Sequence, residues 1–119
     1  MLTDEETRRL VPRLADGDPE AFRFLVRLYG PAIRAFIAAR VFRTDEVDDL
    51  AQEVFLAAFR SRSELPSVLD LGSWLRGVAA NKVLMHARSA ARRADLLERF
   101  RGEVLERVAP ELGQLAAAE

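Results

Sequence analysis

The sequence predicts an all-α protein, a compact bundle of about four to five helices that ends in a long C-terminal helix. The composition is rich in Ala, Leu and Arg and only 8% aromatic, which favours helices. Apolar residues recur at helical spacing in several segments, and no strand-like alternation persists. With 119 residues, the chain is long enough for one domain with a hydrophobic core.

The first helix has a clear start signal near the N-terminus. Thr3 and Glu6 match a capping box, in which each side chain accepts a hydrogen bond from the backbone of the other residue. The helix is predicted to run to about Ala15, and Pro12 is expected to shorten or kink it.

The second helix is predicted to begin at Asp18, because Asp is a favoured N-cap and Pro19 suits the first helical position. Its predicted apolar side comprises Ala21, Phe22, Leu25, Val26 and Leu28. The pair Gly30–Pro31 predicts a break or bend, after which helical spacing of apolar residues resumes.

The third helix, with Thr44 as its predicted cap, has the most regular apolar pattern. Six apolar residues recur at i, i+3, i+4, i+7, i+8 and i+11: Val47, Leu50, Ala51, Val54, Phe55 and Ala58. Asp45, Asp49, Gln52 and Glu53 lie around the opposite side. Acids near a helix N-terminus complement its dipole, but Gln52 and Glu53 lie beyond the first turn and need another explanation.

Charges are sorted along the chain, although the net charge is only −1. Residues 45–53 carry five anions and no cation, whereas residues 21–43 carry five arginines and no acid. Residues 76–101 carry seven cations and two anions. This pattern predicts two partners, one basic and one polyanionic, although solvated helix faces would give the same pattern.

Residues 61–71 are predicted to form a loop, and Asp70 or Ser73 is the predicted cap of a long last helix. One face of that helix is predicted to comprise Trp74, Val78, Asn81 and Met85. After Ala94 the pattern becomes weaker and more charged, and Pro110 and Gly113 are expected to break it. We therefore predict a helical domain over residues 1–94 and a linker or docking helix with a tail over residues 95–119.

Arrangements of residues that are typical of catalytic or metal sites are not found in the sequence. The chain has no cysteine and a single histidine, His86, with no partner at ligand spacing. Asp45, Asp48 and Asp49 lie on a regular helix, without the Gly-bent loop of calcium sites. We therefore expect no enzyme activity, no cofactor and no metal. Apolar runs are too short to cross a membrane, and the N-terminus is unlike a signal peptide, so a cytoplasmic protein without membrane insertion is expected.

The order of the segments resembles a known family. GDPEAFRFLVRLYGP is followed by DLAQEVFLAAFR, a short polar loop, and a helix that opens with Trp and becomes Arg-rich. This order resembles region 2, the polymerase-binding and promoter-melting domain, of sigma-70 family factors, and most closely that of the extracytoplasmic-function (ECF) group. The resemblance covers about Leu10 to Arg93. The combination of D-D-L-x-Q-E-V-F with W-L-x-x-x-A-x-N about twenty residues later is specific, whereas either half alone is weak.

The resemblance implies two partners and a set of contact residues. Docking on the basic clamp helices of the beta-prime subunit of RNA polymerase core would use Asp49, Gln52 and Glu53, with Asp45 beside them. The last helix would face the −10 element of promoter DNA, mainly its non-template single strand. The implied DNA-binding residues are Trp74, Arg76, Asn81, Lys82, Arg88 and Arg92. The implied base-capturing loop contains Pro66, Ser67, Val68 and Leu69. An anti-sigma factor is a further partner that the resemblance suggests.

Two departures from the family pattern affect these expectations. Gly77 and Ala80 occupy positions where relatives often carry larger side chains. With small side chains there, recognition of the bases would depend more on the loop. Family members normally continue into a helix-turn-helix domain that reads the −35 element, and no second domain of that kind is predicted here. Either the domain works alone or, as we expect, the sequence is a piece of a longer chain. The alternative function is a helical protein–protein interaction module, in which Trp74 and Asn81 serve only in packing.

Overall fold

The computed structural model describes residues 2–118, and their side chains except those of Pro110 and residues 112–118. The described residues form four α-helices and one 3-10 helix, without a strand: α1 (Asp4–Ala15), α2 (Pro19–Ala38), α3 (Thr44–Arg60), the 3-10 helix (Arg62–Ser67) and α4 (Leu71–Ala118). The predicted all-α class is therefore confirmed. By packing, the chain divides into two units between Leu84 and Met85, whereas the predicted functional boundary at residue 94 stays a prediction.

The predicted capping box starts α1. Thr3 Oγ1 accepts a hydrogen bond from the Glu6 N–H at 3.1 Å, and Glu6 Oε1 accepts one from the Thr3 N–H at 3.2 Å. Pro12 does not shorten the helix, which ends at Ala15 as predicted. Gly17 then turns the chain with a φ of +76°, a conformation that glycine adopts without the strain a side chain would add.

The predicted start of α2 is confirmed, but the predicted break within it is wrong. Asp18 accepts a hydrogen bond from the Glu20 N–H at 3.0 Å, and Pro19 is the first helical residue. The helix continues through Gly30 and Pro31 to Ala38. Burial of Ile33 and Ile37 on the core side offsets the hydrogen bond that Pro31 cannot donate.

The predicted apolar side of α3 forms part of the core. Val47, Leu50, Val54 and Ala58 are buried, and Ala51 and Phe55 pack against them partly buried. The predicted cap at Thr44 is wrong by one residue. Arg43 is the N-cap, without a side-chain hydrogen bond. Acidic residues in the first turn can stabilise this helix end through its dipole.

A single aliphatic cluster forms the core of the first unit. Among the described residues, the buried ones are Leu, Ile, Val and Ala together with Gly72, and none has a polar or charged side chain. The helix α2 packs mainly on α3, and α1 packs on α2 and on the 3-10 helix. Leu71, Leu75 and Ala79 contribute the start of α4 to this cluster.

The start of α4 corrects two sequence predictions. The buried line of Leu71, Leu75 and Ala79 differs from the predicted face, in which Asn81 and Met85 are exposed. Most of the predicted loop before α4 is the 3-10 helix. Asp70, one of the two predicted caps, accepts a hydrogen bond from the Ser73 N–H at 3.1 Å.

The second unit begins at Met85 and contains the remainder of α4. The breaks predicted at Pro110 and Gly113 are wrong, because the helix extends to Ala118. Leu, Glu, Arg and Ala, which are strong helix formers, dominate this segment. Its apolar residues from Leu96 to Leu105 are exposed. No helix among the described residues is long and apolar enough to cross a membrane.

Candidate functional site

Four polar side chains on α3 form what we call the acidic face: Asp45, Asp49, Gln52 and Glu53. All four are exposed, because they lie at i, i+4, i+7 and i+8 on the side of the helix opposite the buried stripe. The exposure expected from the sequence is confirmed. This face presents carboxylate acceptors and one amide group to a partner.

Cations from neighbouring segments already pair with some of the acids on α3. Arg43 lies 3.4 Å from Asp45, and Lys82 lies 3.8 Å from Glu53. Asp49 forms no ion pair with any of the side chains that the structure describes. Asp49 is therefore the carboxylate of the acidic face that is most available to an external cation.

An apolar groove of about 1030 Å³ lies between α2 and α3, beside the acidic face. Its apolar lining includes Phe22, Val26, Phe55, Leu56 and Phe59, and Gln52 lies at its α3 edge. The rings of Phe22 and Phe59 pack edge to face, with centroids 5.2 Å apart. Exposed apolar surface of this kind, next to charged residues, is typical of a protein-binding site.

Sequence reasoning missed this groove. Val26 was expected in the buried side of α2, but 42% of its surface is exposed. Leu56 and Phe59, which lie outside the apolar stripe of α3, are 51% and 41% exposed. The sequence signal for the groove was the presence of apolar residues outside the buried stripes of the helices. That these residues line one groove is shown only by the packing of α2 on α3.

The residues expected to bind DNA lie on α4. Trp74 is half-buried against the core, whereas Arg76 is exposed and donates a hydrogen bond to Ser73 Oγ at 3.2 Å. Asn81 is exposed, and Lys82 is half-buried. The structure thus brings these four together at the start of one helix. Arg88 and Arg92 belong to the second unit, where both are exposed.

The candidate base-capturing loop is held by its own contacts. Leu65 anchors the 3-10 helix in the core with 1% of its surface exposed. Pro66 and Ser67 are exposed, and Ser67 Oγ donates a hydrogen bond to the Glu64 carbonyl at 2.7 Å. Val68 is partly buried against the core. Leu69, by contrast, is fully exposed, and it is the apolar side chain of the loop that a ligand could contact most easily.

The turn between the loop and α4 is built around Asp70. The hydrogen bond from the Ser73 backbone N–H lowers the pKa of Asp70 below its usual value. Burial, together with the nearby Asp70 charge, raises the pKa of Tyr29. A Cβ on Gly72 would lie only 3.1 Å from the Tyr29 ring. Glycine therefore lets the N-terminus of α4 approach α2 closely, which positions Trp74 one half-turn later.

Metal-binding geometry is not found in the described part of the chain. No group of three or more His, Cys, Asp or Glu side chains there could hold a metal ion. The chemistry that these residues offer is binding through charge, hydrogen bonds and apolar contact.

Comparison with known families and sequences gives consistent matches. Residues 25–93 match the family described as Sigma-70 region 2, which is more than half of the chain. The RNA polymerase sigma-H factor of Pseudomonas aeruginosa is 34% identical over 93 residues, which cover 78% of this chain and 48% of that protein. The ECF RNA polymerase sigma factor SigF of Caulobacter vibrioides is 37% identical over 90 residues, covering 73% of this chain and 50% of that protein.

A solved structure has the same fold. It is the NMR structure of an engineered region 2 of sigmaE in complex with GTAAAA, and it matches with a TM-score of 0.66 and 25% identity. The match covers 77% of this chain and 97% of that one. The chain spans about half the length of the curated relatives that it matches.

Proposed function

The chain belongs to the sigma-70 family of sigma factors, in its ECF group, and we propose that it docks on RNA polymerase core and recognises and melts the −10 promoter element. The observation that carries this proposal is the acidic face of α3, which is exposed and lies beside an apolar groove. Members of this family are transcription initiation factors. The chain would accordingly act in the cytoplasm by binding and not as an enzyme.

The acidic face supports the polymerase contact. Asp49 and Glu53, one helical turn apart, present carboxylates to the arginines or lysines of a basic coiled coil, for which we propose the clamp helices of the beta-prime subunit. The amide of Gln52 both donates and accepts hydrogen bonds. Charge complementarity of this kind orients the two proteins and raises their association rate. The groove beside the acidic face supplies apolar surface whose burial adds affinity.

The start of α4 and the loop before it support the DNA contact. Melting requires a base to leave the stack and be held by apolar or aromatic surface. We propose that the exposed part of Trp74 packs at the edge of the melted region and that Leu69 contacts a captured base. Arg76 and Lys82 would bind phosphates, and Asn81 would contact a base edge. The similarity to a sigmaE region 2 that is in complex with GTAAAA supports this assignment.

Arg88 and Arg92 are proposed as further phosphate contacts because both are exposed cations. An anti-sigma factor as an additional partner stays a prediction from the family.

The alternative of a protein–protein interaction module without DNA contact would use the same acidic face and groove. The two functions differ in whether Trp74 and Asn81 contact DNA.

The polymerase contact is tested by the binding of purified polymerase core to the chain and to Asp49→Lys. We expect the affinity of Asp49→Lys to fall by about tenfold or more, because the reversal places like charges together at a docking face. Asp16→Lys is the matched control, since Asp16 is exposed at the C-cap of α1 and the change in net charge is the same. Wild-type chain that folds but does not bind core, or equal binding by Asp49→Lys, would contradict the proposal.

The DNA contact is tested in the complex with polymerase core, with a −10 single strand that carries a fluorescent base analogue. Trp74→Ala should weaken the signal from the unstacked base, and Trp74→Phe should retain most of it because an aromatic surface remains. Core binding, measured in parallel, should be the same for both variants. An unchanged signal in a folded Trp74→Ala variant would favour the alternative module.

A further inference from the structure

The function proposed above leaves the arginine-rich sequence of residues 21–43 unexplained. Three of its five arginines have partners within the chain: Arg34 with Asp48, Arg40 with the ring and carbonyl of Phe36, and Arg43 with Asp45. The remaining two are Arg23 and Arg27. Both are exposed, and neither forms an ion pair or hydrogen bond with another residue that the structure describes.

Arg23 and Arg27 lie one turn apart on α2, so that their side chains share one face of the helix. Both line the apolar groove between α2 and α3. Glu6 and Glu20 line a smaller neighbouring cleft with them, between α1 and α2, but neither carboxylate pairs with either arginine within the described residues. The guanidinium groups are permanently charged. They can therefore bind carboxylates of a partner without losing an internal contact.

Charges of opposite sign flank the groove. Arg23 and Arg27 line it on the α2 side. On the α3 side Gln52 lines it, and the carboxylates of the acidic face lie beyond Gln52 on the exposed side of the helix. Arg34 and Asp48 also line the groove, but they pair with each other. A helix that places its apolar side in such a groove would need acidic residues on one flank and basic residues on the other.

We propose that Arg23 and Arg27 bind carboxylates of the same polymerase helix that docks on the acidic face, and that they thereby set its direction in the groove. This inference rests on the proposed function. Reversing the direction of a helix in a groove exchanges its two flanks. The reversed arrangement would bring acids to Asp49 and bases to the arginines, and repulsion between like charges would disfavour it.

The lining of the groove favours a protein occupant over nucleic acid. Phe22, Val26, Leu56 and Phe59 present apolar surface between the charged edges, and burial of such surface is typical of protein interfaces. A phosphate backbone would satisfy the arginines, but it would leave this apolar surface uncovered, since interfaces with DNA are more polar and more positively charged.

Charge reversal at each arginine tests the inference. We expect Arg23→Glu and Arg27→Glu each to weaken binding to purified polymerase core by about three- to tenfold at low salt, and by less at high salt because ions screen rim charges. Arg8→Glu is the matched control, because Arg8 is an exposed arginine of α1 that does not line the groove. Binding of Arg8→Glu should change by less than about twofold. Arg27→Gln, which removes the charge with little change in shape, should give an intermediate loss.

A rescue experiment identifies the partner group. In the polymerase helix, a change of the contacting carboxylate to Lys should restore the binding of Arg27→Glu and should not restore that of Asp49→Lys. Rescue of this kind requires the two residues to face each other, and general loss of charge would not produce it.

The controls separate this inference from the function on which it rests. If Asp49→Lys loses core binding while both arginine reversals bind like wild type, the inference is overturned and the docking function stands. If the wild-type chain does not bind core, both are overturned. If the arginine reversals instead weaken binding to a −10 single strand and leave core binding unchanged, the arginines face DNA and the inference is overturned.

Discussion

The ion pair between Glu53 and Lys82 connects the side of the domain proposed to bind polymerase with the side proposed to bind DNA. Glu53 belongs to the acidic face, and Lys82 belongs to the set proposed to contact phosphates. A lysine that pairs with a carboxylate is less available to a phosphate. We therefore expect Glu53→Gln to release Lys82 and to strengthen binding of a −10 single strand by the isolated chain.

The size of this effect follows from the geometry of the pair. At the observed N–O separation of 3.8 Å, the attraction would be about 1 kcal/mol in water and about 4 kcal/mol at an effective dielectric constant of 20. The side chains are 24% exposed for Lys82 and 54% exposed for Glu53, so the pair is near the surface, where the net value is about 0.2–1 kcal/mol. A value of about 0.5 kcal/mol corresponds to a change of about twofold in DNA affinity and a lowering of Tm by roughly 2–4 °C.

A double-mutant cycle measures the pair directly. The four proteins are wild type, Glu53→Gln, Lys82→Met and the double variant, compared by thermal unfolding and by fluorescence anisotropy with a labelled −10 strand. Asp49→Asn is the matched control, because it removes the same charge from α3 at a residue without an ion pair in the described chain. We expect Glu53→Gln to strengthen DNA binding more than Asp49→Asn does, and this excess to vanish in the Lys82→Met background.

Two results would refute this reasoning. Equal strengthening by Glu53→Gln and Asp49→Asn would mean that the general charge of α3, and not the pair, opposes DNA binding. An interaction free energy of zero in the unfolding cycle would mean that the observed contact contributes nothing to stability.

Three further predictions concern stability. Leu75→Ala, at a core position with 0% of its surface exposed, should lower the free energy of unfolding by about 2–5 kcal/mol, and a loss below about 1 kcal/mol in urea titration would contradict the packing. Gly17→Ala should lower the free energy of unfolding by about 1–2 kcal/mol in the same titration, because a side chain is strained at a φ of +76°. An unchanged midpoint of unfolding would contradict that turn conformation. Asp70 has a folded pKa below its usual 3.8 because its carboxylate accepts the Ser73 N–H, so its stabilising effect is present above pH 3.8 and is lost as the pH falls through the folded pKa. Asp70→Asn should therefore lose less stability than wild type on acidification below that pH, and parallel stability curves would show that Asp70 does not contribute.

Local signals in the sequence predicted the elements that depend on local chemistry. The capping box at Thr3, the Asp18–Pro19 start and the stripe from Val47 to Ala58 were predictable because neighbours in sequence decide caps and helical faces. The exposure of the acidic face followed from the same periodicity. Gly30 and Pro31 were misleading because burial of Ile33 and Ile37, which follow them, outweighs the local preference for a break.

Contacts between distant parts of the chain could not be predicted in this way. The pair of Glu53 with Lys82 joins residues on two helices, and nothing in either local pattern indicates their proximity. The apolar groove requires the packing angle of α2 on α3, which periodicity does not contain. The roles proposed for Arg23 and Arg27 could be separated from those of the other three arginines only once the partners of those three within the chain were known.

The aliphatic character of the core has a consequence for how such a domain can diverge. Among the described residues, the buried side chains carry no hydrogen-bonding groups. Which side chains fit there therefore depends on their volume and shape, and not on the geometry of hydrogen bonds. Interiors of this kind tolerate exchanges among Leu, Ile, Val and Met when the total volume is retained. Related proteins can therefore differ at many core positions and keep the fold, while the surfaces that bind other molecules are under separate selection. A shared fold at 25% identity is what such freedom permits.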